Sequence, residues 1–114
     1  MAATEPCWLV SGGHVLASAE RAADRRARAH GLLGRSGVDG AFVIAPCRSV
    51  HSLGMKFDLD IAFLDEAGVV LKVARLRRNR IGLPVRKART VVEAEAGAFA
   101  RWGLHVGDQI EVRE

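Results

Sequence analysis

Tyrosine is absent from these 114 residues, and aromatic side chains make up only 5% of them. Reading single-stranded nucleic acid by base stacking needs aromatic platforms, and none lies in the most basic stretch, residues 72–89. There are two cysteines, Cys7 and Cys47, and no C-x-x-C or H-x-x-x-H pair. Nothing in that spacing calls for a disulfide or a zinc site, so free thiols, buried or half-buried, are expected. No apolar run approaches the roughly 18 residues that cross a bilayer. The opening residues, Met1-Ala2-Ala3-Thr4-Glu5-Pro6, lack the basic start and apolar core of a signal peptide, so a cytoplasmic location is expected. G-x-S-x-G, P-loop and dinucleotide fingerprints are missing too, and no cofactor is implied.

What is present suits one globular domain over residues 1–114, free of repeats and linkers. The chain is 49% hydrophobic and 26% charged, enough to fold around its own core. Its net charge of +4 is unevenly placed. Lys72, Arg75, Arg77, Arg78, Arg80, Arg86, Lys87 and Arg89 follow one another with no acid between them. From Thr90 onward the acids Glu93, Glu95, Asp108, Glu111 and Glu114 outnumber Arg101 and Arg113. The positive excess is therefore one local patch, able to steer an anionic partner.

Two short apolar runs around Ser11-Gly12-Gly13-His14 predict a β-hairpin, since glycine supplies the positive φ of a tight turn. An Ala- and Arg-rich stretch predicts a helix from about Ala19 to about Leu33, with Ser18 as its cap. Ala41-Phe42-Val43-Ile44-Ala45, between Gly40 and Pro46, reads as a buried strand. The runs 59–64 and 69–76 flank Asp65-Glu66-Ala67-Gly68 and form the clearest hairpin. Residues 77–89 form a basic loop, since Gly82 and Pro84 oppose regular structure. Further strands are expected at 90–96 and 109–113, with a single helical turn at 97–103 closed by Gly103. The fold class is mainly β with one helix (α+β). About seven strands form a sandwich or open barrel, with the helix packed against it.

Four blocks carry a family resemblance. Glu20-Arg21 precedes Arg28-x-x-Gly31-Leu32-Leu33-Gly34-Arg35. Then come His51-x-x-x-Met55-x-Phe57-x-x-Asp60-Ile61-x-Phe63-Leu64-Asp65-x-x-Gly68-x-Val70, Val92-Glu93-x-x-Ala96-Gly97, and Gly107-Asp108. In this order they resemble the DUF192 family of small bacterial and archaeal proteins, over nearly the whole chain. The resemblance implies a compact, mainly β domain with one helix, and no particular activity. Extra residues at 22–26 leave Arg21 and Arg28 as alternative equivalents of the family's helix arginine.

The candidate chemistry centres on residues 47–64. Cys47, His51 and Met55, at spacings of four, supply the soft ligands suited to copper. On a strand they would spread over roughly 27 Å, so one ion is held only if the loop folds back. A free thiol, a hydrogen-bonded imidazole and a core methionine are the plainer reading, and no metal is expected. Asp60 stands among Leu59, Ile61, Phe63 and Leu64, where a buried carboxylate needs a partner. A buried Asp–Arg or Asp–His link between helix end and sheet is expected there. The leading functional reading is a binding domain for an anionic small molecule or acidic protein. Its pocket would be built from Arg28, Arg35, His51, Met55 and Asp60, with Arg75, Arg77, Arg78, Arg80, Arg86, Lys87 and Arg89 as a docking patch. An enzyme using His51 and Asp60 as an acid/base pair is a second reading. A nucleic-acid binder using the arginine-rich loop 75–89 is a third.

Overall fold

The computed structural model of the chain describes residues 3–114. Seven strands form one sheet in the order β5-β4-β6-β3-β2-β1-β7. They are β1 (Thr4–Ser11), β2 (His14–Ala22), β3 (Ala41–Ile44), β4 (Leu59–Leu64), β5 (Val70–Leu76), β6 (Thr90–Glu95) and β7 (Glu111–Arg113). Two short helices, α1 (Arg25–His30) and α2 (Ala98–Trp102), complete it. All seven expected strands are present.

The first hairpin turns at Gly12 and Gly13, with φ of 58° and 79°, both on the side that matches strand twist in a two-residue turn. β2 then runs parallel to β3, with α1 lying in the crossover, and every other pairing is antiparallel. The sheet curls until its ends meet. Ile110 N–H donates to the Gly68 carbonyl at 2.8 Å, and Val70 N–H donates to the Asp108 carbonyl at 2.8 Å. These bonds join the chain ahead of β7 to the start of β5, turning the sheet into an open barrel.

Every residue of β3 and β4 is buried, which explains why these segments, Asp60 apart, are apolar throughout rather than alternating. Side-chain alternation divides the core in two. Cys7, Leu9, Val43, Ala62, Leu64 and Val92 face the inside of the curl, closed by Phe99 of α2 and by Leu104 and Ile110. Phe42, Ile44, Leu59, Ile61, Phe63 and Val91 face the other way, beneath α1, the loop 45–58 and the basic loop.

The long helix expected over 19–33 is corrected. β2 continues through Ala22, and α1 is only six residues long. Ala19 and Ala22 are buried as sheet residues, and β2 satisfies its backbone between β1 and β3, so tertiary pairing overrides alanine's helix propensity. The cap is Asp24 rather than Ser18, its Oδ1 accepting from Ala27 N–H at 2.8 Å.

Candidate functional site

The loop 45–58 leaves β3 and must pass over β6 to reach β4. Ser52 pins it there. This fully buried side chain bonds to the Arg77 carbonyl and accepts from Arg80 N–H at 2.9 Å, while Ser52 N–H donates to the Arg80 carbonyl at 2.8 Å. His51 bridges Ile81 across the same junction. Folded in this way, residues 47–55 face the C-terminal end of α1 across a cleft of about 320 Å³.

The wall on the helix side is Arg28, His30, Gly31, Leu32 and Leu33, and the opposite wall includes Cys47, Val50, His51 and Met55. Ile44 of β3 and Glu93 of β6 form the floor. Glu93 is only 4% exposed, and no hydrogen bond or charge among the described residues offsets the burial of its carboxyl. Burial alone pushes this carboxyl up to about 7. Gly31, the helix cap, stands over it: a Cβ there would lie 4.0 Å from Glu93 Oε1. The Cys47 thiol is half-buried and donates to the Ser49 carbonyl at 3.2 Å. Burial raises its pKa, and the Glu93 charge adds to that rise. Arg28 is half-buried and forms no ion pair among the described residues, and His51 is exposed at the rim. His51 Nδ1 accepts from Leu53 N–H at 3.2 Å, which leaves Nε2 to carry the ring proton.

The expected site residues therefore divide. Arg28, His51 and Met55 share the cleft, and Cys47 joins them. Arg35 and Asp60 lie elsewhere. Arg35 donates to both Glu20 oxygens, at 2.6 and 3.2 Å, and lies 5.5 Å over the Phe42 ring. That contact clamps the α1–β3 connection to β2, and it holds the Glu20 carboxyl below its usual range. Asp60 points into the curl. Its Oδ1 accepts from Arg75 Nε at 3.1 Å, and its Oδ2 from Gly97 N–H at 2.9 Å and Phe99 N–H at 3.2 Å. The expected buried Asp–Arg link exists, but the arginine comes from the adjacent strand and the helix end it secures is that of α2. His51 and Asp60 are consequently not brought together, and the acid/base pair drawn from them is withdrawn.

Glu93, which lines the cleft, is not among the expected site residues. The signal was there: an acid inside the strand pattern Thr90-Val91-Val92-Glu93-Ala94, and a member of one family block. Among the described residues no group of three or more His, Cys, Asp or Glu is placed to hold a metal. The candidate patch residues Arg75, Arg77, Arg78, Arg80, Arg86, Lys87 and Arg89 are all exposed. A larger depression, about 710 Å³, runs along the Gly12–Gly13 turn and β7, but no buried ionisable side chain lines it.

Known proteins place the chain by fold and family. A UPF0127 protein of Pyrococcus abyssi is 33% identical over 63 residues, which are 55% of this chain and 54% of that protein. A UPF0127 protein of Pyrococcus furiosus matches to the same extent, so the chain spans about half the length of these curated relatives. Among solved structures, a protein of unknown function from Novosphingobium aromaticivorans superposes with a TM-score of 0.77 at 21% identity, covering 95% of this chain and 84% of that one. A protein from Sinorhizobium meliloti, described as a candidate transcription regulator, superposes with a TM-score of 0.79 at 21% identity, covering 97% and 95%. At that identity the likeness is one of fold. The model of the family DUF192, described as an uncharacterized ACR, matches residues 8–112, and the chain belongs to that family.

Proposed function

We propose that the chain is a small binding domain whose cleft between α1 and the loop 47–55 takes a small molecule with two polar ends. One end is anionic and meets Arg28; the other carries an ammonium or hydroxyl group and donates to Glu93. Ile44, Leu32, Val50 and Met55 supply the apolar walls between. The observation that carries this reading is Glu93: a buried carboxyl that lines the cleft and whose desolvation no hydrogen bond or charge offsets. A buried acid normally keeps a partner because desolvation of its charge is expensive. A ligand donor supplies what the protein does not. Pockets with apolar walls, a few convergent polar groups and a displaced pKa are where small molecules bind.

Amide-resolved NMR titration tests this with the ω-amino acids from 4-aminobutanoate to 6-aminohexanoate as probes, and with hexanoate as the control lacking the donor. The expected result is displacement of the Gly31, Glu93 and 47–55 amides by at least one amino acid of the series, stronger than by hexanoate. No displacement at millimolar probe would remove the reading.

The same residue favours a second, catalytic reading. A carboxyl with a pKa about 7 is poised to exchange a proton near neutrality, and it shares the cleft with His51. Here Glu93 takes the acid/base role first assigned to Asp60. Glu93→Gln separates the two readings. Glutamine keeps an acceptor for a donor ligand, so binding survives weakened, whereas turnover by proton transfer ceases.

A further inference from the structure

The loop between β5 and β6 carries a feature the cleft does not use. Ile81 and Leu83 are 75% and 77% exposed, among the most exposed large apolar side chains described. The segment that bears them is not loose. Gly82 N–H donates to the Val50 carbonyl at 3.0 Å, Val85 N–H to the Arg48 carbonyl at 2.9 Å, and Ala88 is buried in the core. The backbone is thus fixed, and the two aliphatic side chains are held out in water. Arg77, Arg78 and Arg80 stand just before them, and Arg86, Lys87 and Arg89 just after, with no acid in residues 77–89. Among the described residues only Arg78 of these cations finds an acid, Asp58, at 3.9 Å.

We infer that this loop is a docking surface for an anionic lipid bilayer, with Ile81 and Leu83 entering the interfacial region and the flanking cations meeting headgroup phosphates. Both halves of the pattern are used there. Reversible attachment to a membrane surface needs two weak signals together, an apolar insertion and a basic cluster. On a nucleic acid the arginines would find phosphates, but two fixed aliphatic tips would gain nothing, and no aromatic residue is available to stack. No described helix is long and apolar enough to cross a membrane, so contact is peripheral in this reading. It is independent of what the cleft binds.

Co-sedimentation with sucrose-loaded vesicles tests it. Vesicles of phosphatidylcholine alone should retain little protein. Those with about one third phosphatidylglycerol should bind it, less so as NaCl rises beyond the range where surface charges are screened. Ile81→Ser/Leu83→Ser should weaken binding to the anionic vesicles at least tenfold, with the melting temperature unchanged because both side chains are exposed. Arg77→Ser/Arg80→Ser should weaken it similarly. No binding to anionic vesicles at low salt would overturn the inference, as would undiminished binding by the Ile81/Leu83 variant. A random-sequence oligonucleotide that binds the loop more tightly than the vesicles do, equally well in both apolar-substituted and unsubstituted protein, would also overturn it.

Discussion

Asp60 and Glu93 stand on adjacent strands one step out of register and face opposite sides of the same sheet. Asp60 pairs with Ala94 and points into the curl, whereas Glu93 pairs with Ile61 and points beneath the cleft. Both carboxyls are buried, at 5% and 4% exposure. One is bonded three times, by Arg75 and by two backbone N–H groups, and the other has no hydrogen bond to offset its burial among the described residues. The first is a structural lock, and the second is the group on which the proposed ligand site rests.

Removing the lock should cost stability through the helix it secures. Asp60→Ala leaves the N–H groups of Gly97 and Phe99 without an acceptor, and unsatisfied buried donors cost about 1–3 kcal/mol each. A loss of about 3 kcal/mol in urea unfolding is expected. Arg75→Ala should cost about 1 kcal/mol or less, since the Arg75 side chain is 57% exposed and its contribution is screened by water. Equal losses from the two variants would contradict the assignment.

Glu93 should make the protein less stable as pH rises. Its carboxyl titrates at about 7 in the folded chain, against an ordinary value of 4.5. Unfolding then takes up no proton below pH 4.5 and releases one between 4.5 and 7. Stability from this group is therefore fully present below pH 4.5 and lost on the way to 7. At about 1.4 kcal/mol per pH unit, the loss is about 3 kcal/mol. Urea unfolding of Glu93→Gln, compared with the parent chain across that range, should lack this contribution and gain on the parent as pH rises.

The two thiols should differ in reactivity. Cys7 is 3% exposed in the inner core, and Cys47 is half-buried beside the cleft. Burial raises both pKa values, which keeps both slow at neutral pH. An aromatic disulfide reagent should nonetheless modify Cys47 first, and an ω-amino acid that fills the cleft should slow that modification without altering Cys7. Faster modification of Cys7 would contradict the burial assigned to it.

Barrel closure depends on Gly68. Its φ is +83°, and a Cβ there would run into the Ile110 carbonyl oxygen. Gly68→Ala should strain the turn and break the Ile110–Gly68 hydrogen bond, lowering stability by about 1–3 kcal/mol in thermal or urea unfolding. Gly103→Ala removes a glycine of similar φ, +67°, with nothing within 4 Å of the new Cβ, and should cost less.

Much of the fold is legible in the chain because its strands are local patterns. The apolar runs at 41–45 and 59–64 match strands with both faces covered, and Gly12-Gly13 marks its hairpin. The short extent of the helix is not legible, because Ala19 and Ala22 keep a helical spacing, yet as strand residues they are buried on opposite faces of the sheet, and only pairing with β1 and β3 decides between the two. The burial of Asp60 follows from its neighbours. Its partner Arg75 depends on the β4–β5 register, and its bonds to α2 span nearly forty residues. Cys47, His51 and Met55 reach one cleft because Ser52 is tied to Arg77 and Arg80, twenty-five and twenty-eight residues away. Glu93 lay in plain view on a strand, but its missing partner is a property of the packed structure.

Carbon-13 NMR of the Glu93 side-chain carboxyl, followed across pH with and without an ω-amino acid, tests the central claim most directly. The free protein should titrate with a midpoint about 7. A saturating ω-amino acid should draw that midpoint down, because its ammonium stabilises the carboxylate, while hexanoate should not. A midpoint near 4.5 in the free protein, or one that none of the amino acids moves, would contradict a ligand site built on Glu93.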